Sequence, residues 1–367
     1  MSIREFVKKH PLLVLMLTAC IWALAFQGSR GLLEPDEGRY SNVALQILQH
    51  DDWISLYRNQ DSLHFTKPPL TYWAIAASVS VFGHNEWAVR LPMALAFLLS
   101  VWLTYQLGKC FVPKRPWLPA LFLLGAPVPY LASNTVNTDG VLTAMLTLAM
   151  ACFVKARFAG GGPRWLDAMW LAFGLAFLTK GPPALLPVAV VVAFELWHRN
   201  ARSLLRPLGL AAFAVVGFTW YGLVIMRHPG LLDYFLGHEV YARIATDTHA
   251  RNGEWYGAFK IYVPVFLLGL LPWLAVLAKQ KLSGSPAPAP SPPIQSRFLP
   301  IPVADVSLRA RSVRAGLSPA GEAPAGLADR TRRTDWHRTV AAAAAGRQRP
   351  GSYPARKQQQ GFARIRR

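Results

Sequence analysis

Two short charged motifs lie between strongly apolar stretches and contain the residues best suited to chemistry. Residues 34–40 read EPDEGRY and include Asp36, Glu37 and Arg39, while residues 65–70 read FTKPPL and include Lys67. Ionisable groups are costly beside membrane-embedded sequence, so these motifs indicate a functional site. Carboxylates together with a lysine would suit chemistry on a phosphate-bearing lipid. Ordinary charges in loops between membrane helices would produce the same pattern, and both interpretations stay open here.

The composition indicates a polytopic membrane protein. Hydrophobic residues make up 53% of the 367-residue chain and charged residues only 16%, with 13 tryptophans and repeated uninterrupted apolar runs. An ordinary soluble domain does not have this composition. Cys20, Cys110 and Cys152 lie within or at the ends of apolar segments without paired spacing, so we interpret them as packing residues rather than a disulfide or zinc framework.

Hydropathy predicts a helical bundle of about eight membrane spans. The candidate spans are residues 11–26, 88–108, 117–132, 140–154, 165–179, 182–197, 208–226 and 261–278. The first run could be a signal peptide, because residues 23–25 imitate a cleavage site. A retained helix is favoured, since apolar residues continue to Leu33 and approach the roughly 20 needed to cross a bilayer.

The charges between the spans predict the topology. Alternate loops are rich in Lys and Arg, which predicts that these loops and the N-terminus are cytoplasmic. Asp36, Glu37, Lys67, Asp139 and Lys180 then lie on the external side. Residues 69–82 form an apolar stretch of only about 14 residues, too short to cross, so we predict interfacial helices in the first external loop, with this stretch as one of them.

The composition changes abruptly at the C-terminal end of the last span. We therefore divide the chain into a membrane region, residues 1–281, and a disordered basic tail, residues 282–367, rich in Pro, Ala and Arg. The tail holds 15 Lys or Arg and 4 Asp or Glu, which is more than half of the net charge of +20. A basic arm for anionic lipid or nucleic acid is one interpretation. An out-of-frame translation product is favoured, because the basic residues are scattered and the membrane pattern stops abruptly.

Several external motifs occur together in an order typical of one enzyme family. Besides the two motifs above, the chain contains DWI at 52–54, FGHNEWAVRLP at 82–92 and FLTKG at 177–181. Over about residues 12–279 it resembles the bacterial family 39 glycosyltransferases, which are related to protein O-mannosyltransferases and include the lipid A aminoarabinose transferase. The resemblance implies a GT-C membrane fold in a bacterial inner membrane. It also implies a polyprenyl-phosphate sugar donor, an external lipid, glycan or protein acceptor, and no nucleic-acid partner.

The resemblance also assigns roles. Lys67, with Arg243 and Arg39, would bind the donor phosphate, since fixed cations stabilise a departing phosphate without reorganising. Asp36 would accept the proton of a hydroxyl acceptor. Glu37, in the same acidic motif, is a second catalytic candidate, and Asp139, the third, would position the acceptor or the sugar.

Each of these residues has a structural alternative. Glu37 and Arg39 could simply pair with one another, and Asp139 could cap the following helix. Lys180, at the end of a span, is more simply explained as a cation that complements the helix dipole.

One departure from the family concerns a metal. In the aminoarabinose transferases a Glu precedes the corresponding lysine and a His follows a Glu in a later external segment, and the two resemble a metal pair. Thr66 and Val240 occupy these positions here. Neither side chain replaces a carboxylate or an imidazole, so we expect no metal or other cofactor, and the identity of the sugar stays open. His238, His249 and Glu254 lie in the same external segment, but their spacing matches no known metal site.

Two further classes of function remain open. A lipid-linked sugar flippase or transporter would also carry ionisable residues in a membrane region, although transporters typically have internal repeats and broken midplane helices. The chain could also be an inactive fragment, because relatives continue with more membrane helices.

Overall fold

The computed structural model describes residues 2–241 and 256–282, and the statements below concern these ranges. Arg243, His249 and Glu254 lie outside the described residues. So does the tail beyond Leu282.

The described chain is almost entirely helical. Its helices are α1 (Ile3–Lys9), α2 (Pro11–Leu24), α3 (Asp36–His50), α4 (Leu70–Phe82), α5 (Glu86–Phe111), α6 (Trp117–Leu124), α7 (Pro127–Ser133), α8 (Thr138–Phe158), α9 (Arg164–Lys180), α10 (Leu186–Trp197), α11 (Pro207–Arg227), α12 (Leu231–Asp233) and α13 (Gly257–Leu282). Short 3-10 turns, Pro182–Leu185 and Ala201–Leu204, flank α10, and a π-helical segment, Tyr234–Tyr241, follows α12. An antiparallel pair, β1 (Tyr57–Asn59) and β2 (Ser62–Leu63), lies between α3 and α4.

Within the described ranges, α5, α8 and α11 are long and apolar enough to cross a membrane. The predicted spans at residues 11–26, 165–179 and 182–197 are present as shorter helices, α2, α9 and α10, and the predicted span at residues 261–278 lies within the 26-residue helix α13. The predicted single span at residues 117–132 is wrong in detail, because it divides into α6 and α7. Ala126 adopts an extended conformation immediately before Pro127, and the residue before a proline is sterically disfavoured in the helical region.

The helix that the apolar stretch 69–82 predicts is present as α4. A second helix of this loop, α3, packs against it, and its position was not predicted from the sequence. Tyr40, Val43, Ala44 and Ile47 are buried along one side of α3 at the spacing of one helical face. These side chains join Tyr72 and other residues of α4 in one apolar cluster that also includes parts of α5, α8, α9 and α11. The two charged motifs lie against this cluster, because Tyr40 and Phe65 belong to both.

The long helices α9 and α11 pack closely against one another. A Cβ on Gly174 of α9 would lie 3.2 Å from the Cα of Phe213 in α11, so glycine allows the two backbones to approach. The charged motifs 34–40 and 65–70 share one end of the bundle with the N-termini of α5 and α8 and the C-terminus of α9. We call this end the motif end. At the other end, Arg157 pairs with the buried Glu195, and Arg206 pairs with Asp167.

Candidate active site

Glu37 is a buried hub rather than an exposed acid. Its carboxylate, in the first turn of α3, is 3% exposed and accepts hydrogen bonds from two arginines. Arg90 of α5 donates from Nε at 2.9 Å and from Nη2 at 3.0 Å, and Arg30 donates from Nη1 at 2.7 Å. The amides of Leu33 (2.7 Å) and Val136 (3.0 Å) also donate to it. Glu37 therefore joins α3, α5 and the segments that precede α3 and α8.

The electrostatics follow from these contacts. Burial alone would raise the pKa of Glu37, but hydrogen bonds from Arg90, Arg30, Leu33 and Val136 outweigh it and lower the pKa from 4.5 to about 2. A carboxylate with so low a pKa and all its lone pairs engaged is a poor proton acceptor. The catalytic role of Glu37 stays a prediction, and these contacts favour a positioning role over proton transfer.

Asp36, one residue earlier, has the opposite environment. Its side chain is 63% exposed and forms an ion pair with Arg39 one turn further along α3. The predicted alternative in which Arg39 pairs with Glu37 is wrong, because Glu37 points toward Arg30 and Arg90. The Nε of Arg39 is buried and lacks a hydrogen-bond partner among the described residues, and its guanidinium lies over the Tyr40 ring at 5.4 Å.

Lys67 follows a buried histidine that organises its loop. His64 is buried, and its Nε2 lies 3.0 Å from the Thr66 hydroxyl and 3.1 Å from the Tyr72 hydroxyl. Burial lowers the pKa of His64 to about 4, helped by the positive charges of Arg39, Arg58 and Lys67. His64 is thus neutral at pH 7, and the positive charges around it make this part of the motif end favourable for an anion.

Asp139 lies at the same end, in the first turn of α8. Its side chain is 64% exposed and forms an ion pair with Lys180, the last residue of α9. The capping alternative for Asp139 is wrong, because the Asn137 side chain accepts from the amide of Gly140 at 2.8 Å and is the cap. Lys180 stands at a helix C-terminus as expected, but it has a specific carboxylate partner that the sequence analysis did not identify.

The end of α9 lies against the loop of Lys67. Gly181 has φ +74°, a conformation that favours glycine, and a Cβ there would lie 3.1 Å from the Tyr221 hydroxyl and 4.0 Å from Cγ of Pro68. Leu178 is buried in the same apolar cluster as Phe65. Gly181 and Pro68, which directly follow Lys180 and Lys67, are therefore neighbours in space.

A further set of contacts fixes the loop between α3 and α4. Asp52 accepts from Arg227 at 3.0 Å, the Ser55 hydroxyl lies 3.0 Å from Nε2 of His228, and Trp220 donates to the Ile54 carbonyl at 2.9 Å. These contacts attach the loop to the C-terminal end of α11. Residues 52–54 form one of the family motifs quoted above, but their partner, more than 160 residues away, was not predicted from the sequence.

Metal ligands are not clustered in the part of the chain that the structure describes: it contains no group of three or more His, Cys, Asp or Glu able to hold an ion. Thr66 directs its hydroxyl to His64. Val240 lies in the π-helical segment after α12. The predicted absence of a metal remains a prediction.

The structure is that of a helical membrane protein whose motif end carries a positively charged surface suited to a phosphate. Sequence similarity identifies its family. The chain belongs to the dolichyl-phosphate-mannose-protein mannosyltransferase family, whose model matches residues 66–250. This confirms the predicted resemblance to family 39 glycosyltransferases.

Curated relatives and solved structures agree. Undecaprenyl phosphate-alpha-4-amino-4-deoxy-L-arabinose arabinosyl transferases from Aeromonas salmonicida and Pseudomonas aeruginosa are 34% and 32% identical, over 68% and 72% of this chain. The crystal structure of ArnT from Cupriavidus metallidurans bound to undecaprenyl phosphate matches with a TM-score of 0.65 and 27% identity, covering 75% of this chain and 51% of that one. Its apo state also matches with a TM-score of 0.65, at 25% identity, and covers 86% and 56%.

The chain spans about half the length of the curated relatives it matches: 46% of the Aeromonas salmonicida protein and 49% of the Pseudomonas aeruginosa protein.

Proposed function

We propose that the protein is a membrane glycosyltransferase that moves a sugar from a polyprenyl-phosphate donor to a lipid, glycan or protein acceptor. The observation that carries the proposal is the convergence of Arg39, Lys67 and the exposed carboxylate of Asp36 at the motif end of the bundle. The positive charges of Arg39 and Lys67 both lower the pKa of His64, so the two charges lie in one region. The family membership supports the same chemistry.

The proposed reaction breaks the bond between the sugar C1 and the donor phosphate oxygen and forms a bond from C1 to an acceptor oxygen. The bonding electrons remain with the phosphate, which leaves as polyprenyl phosphate. Lys67 and Arg39, with Arg243 from the segment outside the described residues, neutralise this charge. Asp36 takes the proton of a hydroxyl acceptor, and for a phosphate acceptor it orients that group instead.

The names of the relatives suggest which donor to test first. They specify 4-amino-4-deoxy-L-arabinose on undecaprenyl phosphate, and a solved neighbour holds undecaprenyl phosphate. We propose the same lipid carrier for this chain, with a pentose as the first candidate sugar. Thr66 and Val240 lack the atoms of a metal pair, so we propose that transfer here needs no divalent ion.

We propose that the motif end faces the periplasm of a bacterial inner membrane and that the N-terminus is cytoplasmic. Basic residues support this orientation, because Lys109 and Lys155 lie in the last turns of α5 and α8 and Arg164 begins α9, all at the opposite end of the bundle. The charged residues of the site stand at helix ends and in loops rather than midway along α5, α8 or α11. This distribution favours surface transfer over transport through the bundle.

Reconstitution tests the proposal. Proteoliposomes containing the chain would receive undecaprenyl phosphate that carries radiolabelled 4-amino-4-deoxy-L-arabinose, or a polyprenyl-phosphate mannose, together with lipid A or a serine-containing peptide. We expect labelled product and released polyprenyl phosphate in one arm. Lys67→Ala should abolish the product, while Lys155→Ala, at the opposite end of the bundle, should retain it. Donor that crosses the bilayer without forming product would identify a flippase, and absence of product in every arm would refute transfer by this chain.

A further inference from the structure

The ion pair between Lys180 and Asp139 connects two helices at the motif end. Lys180 ends α9 and Asp139 begins α8, and the two side chains are 23% and 64% exposed. An exposed ion pair of this kind contributes little to stability, about 0–1 kcal/mol. Its position beside the Lys67 loop therefore calls for an explanation other than holding α8 to α9, which already pack along their lengths.

The backbone fixes Lys180 in place. Thr179 is fully buried and its hydroxyl donates to the Leu175 carbonyl, Leu178 packs in the cluster that contains Phe65, and Gly181 lies against Pro68. The ammonium is thus presented from a rigid helix end and not from a loose loop. A site built on rigid elements needs little reorganisation to hold a charged ligand.

We propose that Lys180 is a second lysine for the donor phosphate and that Asp139 is its counter-ion when the donor is absent. This inference rests on the proposed function. When the phosphate binds, its oxygens replace the Asp139 carboxylate at the ammonium, which releases Asp139 toward the sugar or the acceptor. A lysine suits such an exchange, because its ammonium is a compact point charge on a flexible stem. No covalent bond changes in this step.

The exchange makes opposite predictions for its two members. Neutralising Lys180 removes an attraction for the phosphate, and hydrogen bonds to charged groups are strong enough for a loss of about tenfold in affinity. Neutralising Asp139 removes a competitor for the ammonium and should strengthen donor binding while it slows transfer. A merely structural ion pair would weaken binding in both variants or in neither.

Binding measurements on the full chain in nanodiscs of phosphatidylcholine test the inference. Fluorescent undecaprenyl phosphate would be titrated against wild type, Lys180→Gln, Lys180→Arg, Asp139→Asn and the control Lys155→Gln. Undecaprenol and phosphatidylglycerol, as separate probes, distinguish the donor phosphate from the apolar chain and from a bilayer headgroup.

We expect wild type to prefer undecaprenyl phosphate over both other probes. Lys180→Gln should lose about tenfold of that preference, Lys180→Arg should keep most of it, and Asp139→Asn should exceed wild type. Unchanged binding in Lys180→Gln, or weakened binding in Asp139→Asn, would overturn the role of Lys180 while leaving the proposed function intact. Equal binding of undecaprenol by wild type would overturn the proposed function itself, and preference for phosphatidylglycerol would assign the lysine to the bilayer.

Discussion

Replacing Glu37 should separate stability from chemistry at this site. The neighbouring carboxylates Asp36 and Glu37 differ by one position in α3, yet one is 63% exposed and the other 3%. Glu37→Ala should therefore destabilise the fold. Asp36→Asn should leave stability nearly unchanged, because an exposed pair contributes only about 0–1 kcal/mol.

The loss of stability expected for Glu37→Ala depends on the contacts that remain around Arg90. Removing one partner of a buried ion pair costs about 3–5 kcal/mol, because the other charge is left uncompensated. Arg90 keeps part of its compensation, since the carbonyls of Gln27, Arg30 and Gly31 also accept from its guanidinium. The Leu33 and Val136 amides lose their acceptor. We therefore expect the lower end of the range for Glu37→Ala, about 3 kcal/mol.

Unfolding in a fixed detergent and lipid mixture would measure this, with Asp36→Asn as the matched control one residue away. Glu37→Gln keeps the shape but turns an amide NH₂ toward arginine donors, so it should also lower the unfolding midpoint. Where folded Glu37→Gln can be recovered, it should retain some transfer, whereas folded Asp36→Asn should retain none. Wild-type stability combined with complete loss of transfer in Glu37→Gln would refute the positioning role and make Glu37 a direct participant.

Three other predictions concern the same end of the bundle. Wild-type stability should fall as pH drops from 4.5 toward 2, because the Glu37 pKa is lowered to about 2 and its contribution is complete only above 4.5; the midpoint of Glu37→Gln should depend less on pH over that window. A chelator should leave transfer unchanged, since Thr66 offers a hydroxyl already directed to His64, and inhibition that zinc reverses would contradict this. Gly181→Ala should slow transfer, because its Cβ would lie 3.1 Å from the Tyr221 hydroxyl and would shift the neighbouring Lys180, whereas Gly160→Ala, also at positive φ but in open space at the other end, should not; equal activity of the two variants would contradict this prediction.

Local patterns in the sequence predicted much of the fold. The position of α3 and the break between α6 and α7 were not predicted, although the sequence contains signals for both. The apolar stretch 69–82 predicted α4, and the alternation of basic loops with apolar runs predicted the helical bundle. The helical spacing of Tyr40, Val43 and Ile47 could have revealed α3, but its mean hydropathy is too low for a search directed at membrane spans. Pro127 likewise signals the break between α6 and α7.

Partners distant in sequence could not be predicted from a single chain. Nothing in residues 137–140 tells which of Asn137 and Asp139 caps α8, because both residue types cap helices and both precede the apolar run. Only the approach of α9 shows that Asp139 is engaged by Lys180, 41 residues away. The same limit applies to Glu37, whose partner Arg90 is 53 residues distant and belongs to a motif recognised only as a family feature.

The adjacent carboxylates Asp36 and Glu37 differ in environment, and this difference explains how the site is held in place. The proposed transfer requires that charges facing the donor phosphate be held in place before the reaction, since reorganisation during the step would raise its barrier. Glu37 satisfies Arg30 and Arg90 below the surface, which fixes the first turn of α3 against α5 and the start of α8. Asp36 and Arg39 project from that same turn, so their geometry is set by a network that does not itself need to touch the ligand. Changes to the network should therefore act on stability and placement together, while changes to Asp36 or Lys67 should act on donor binding and transfer rather than on stability.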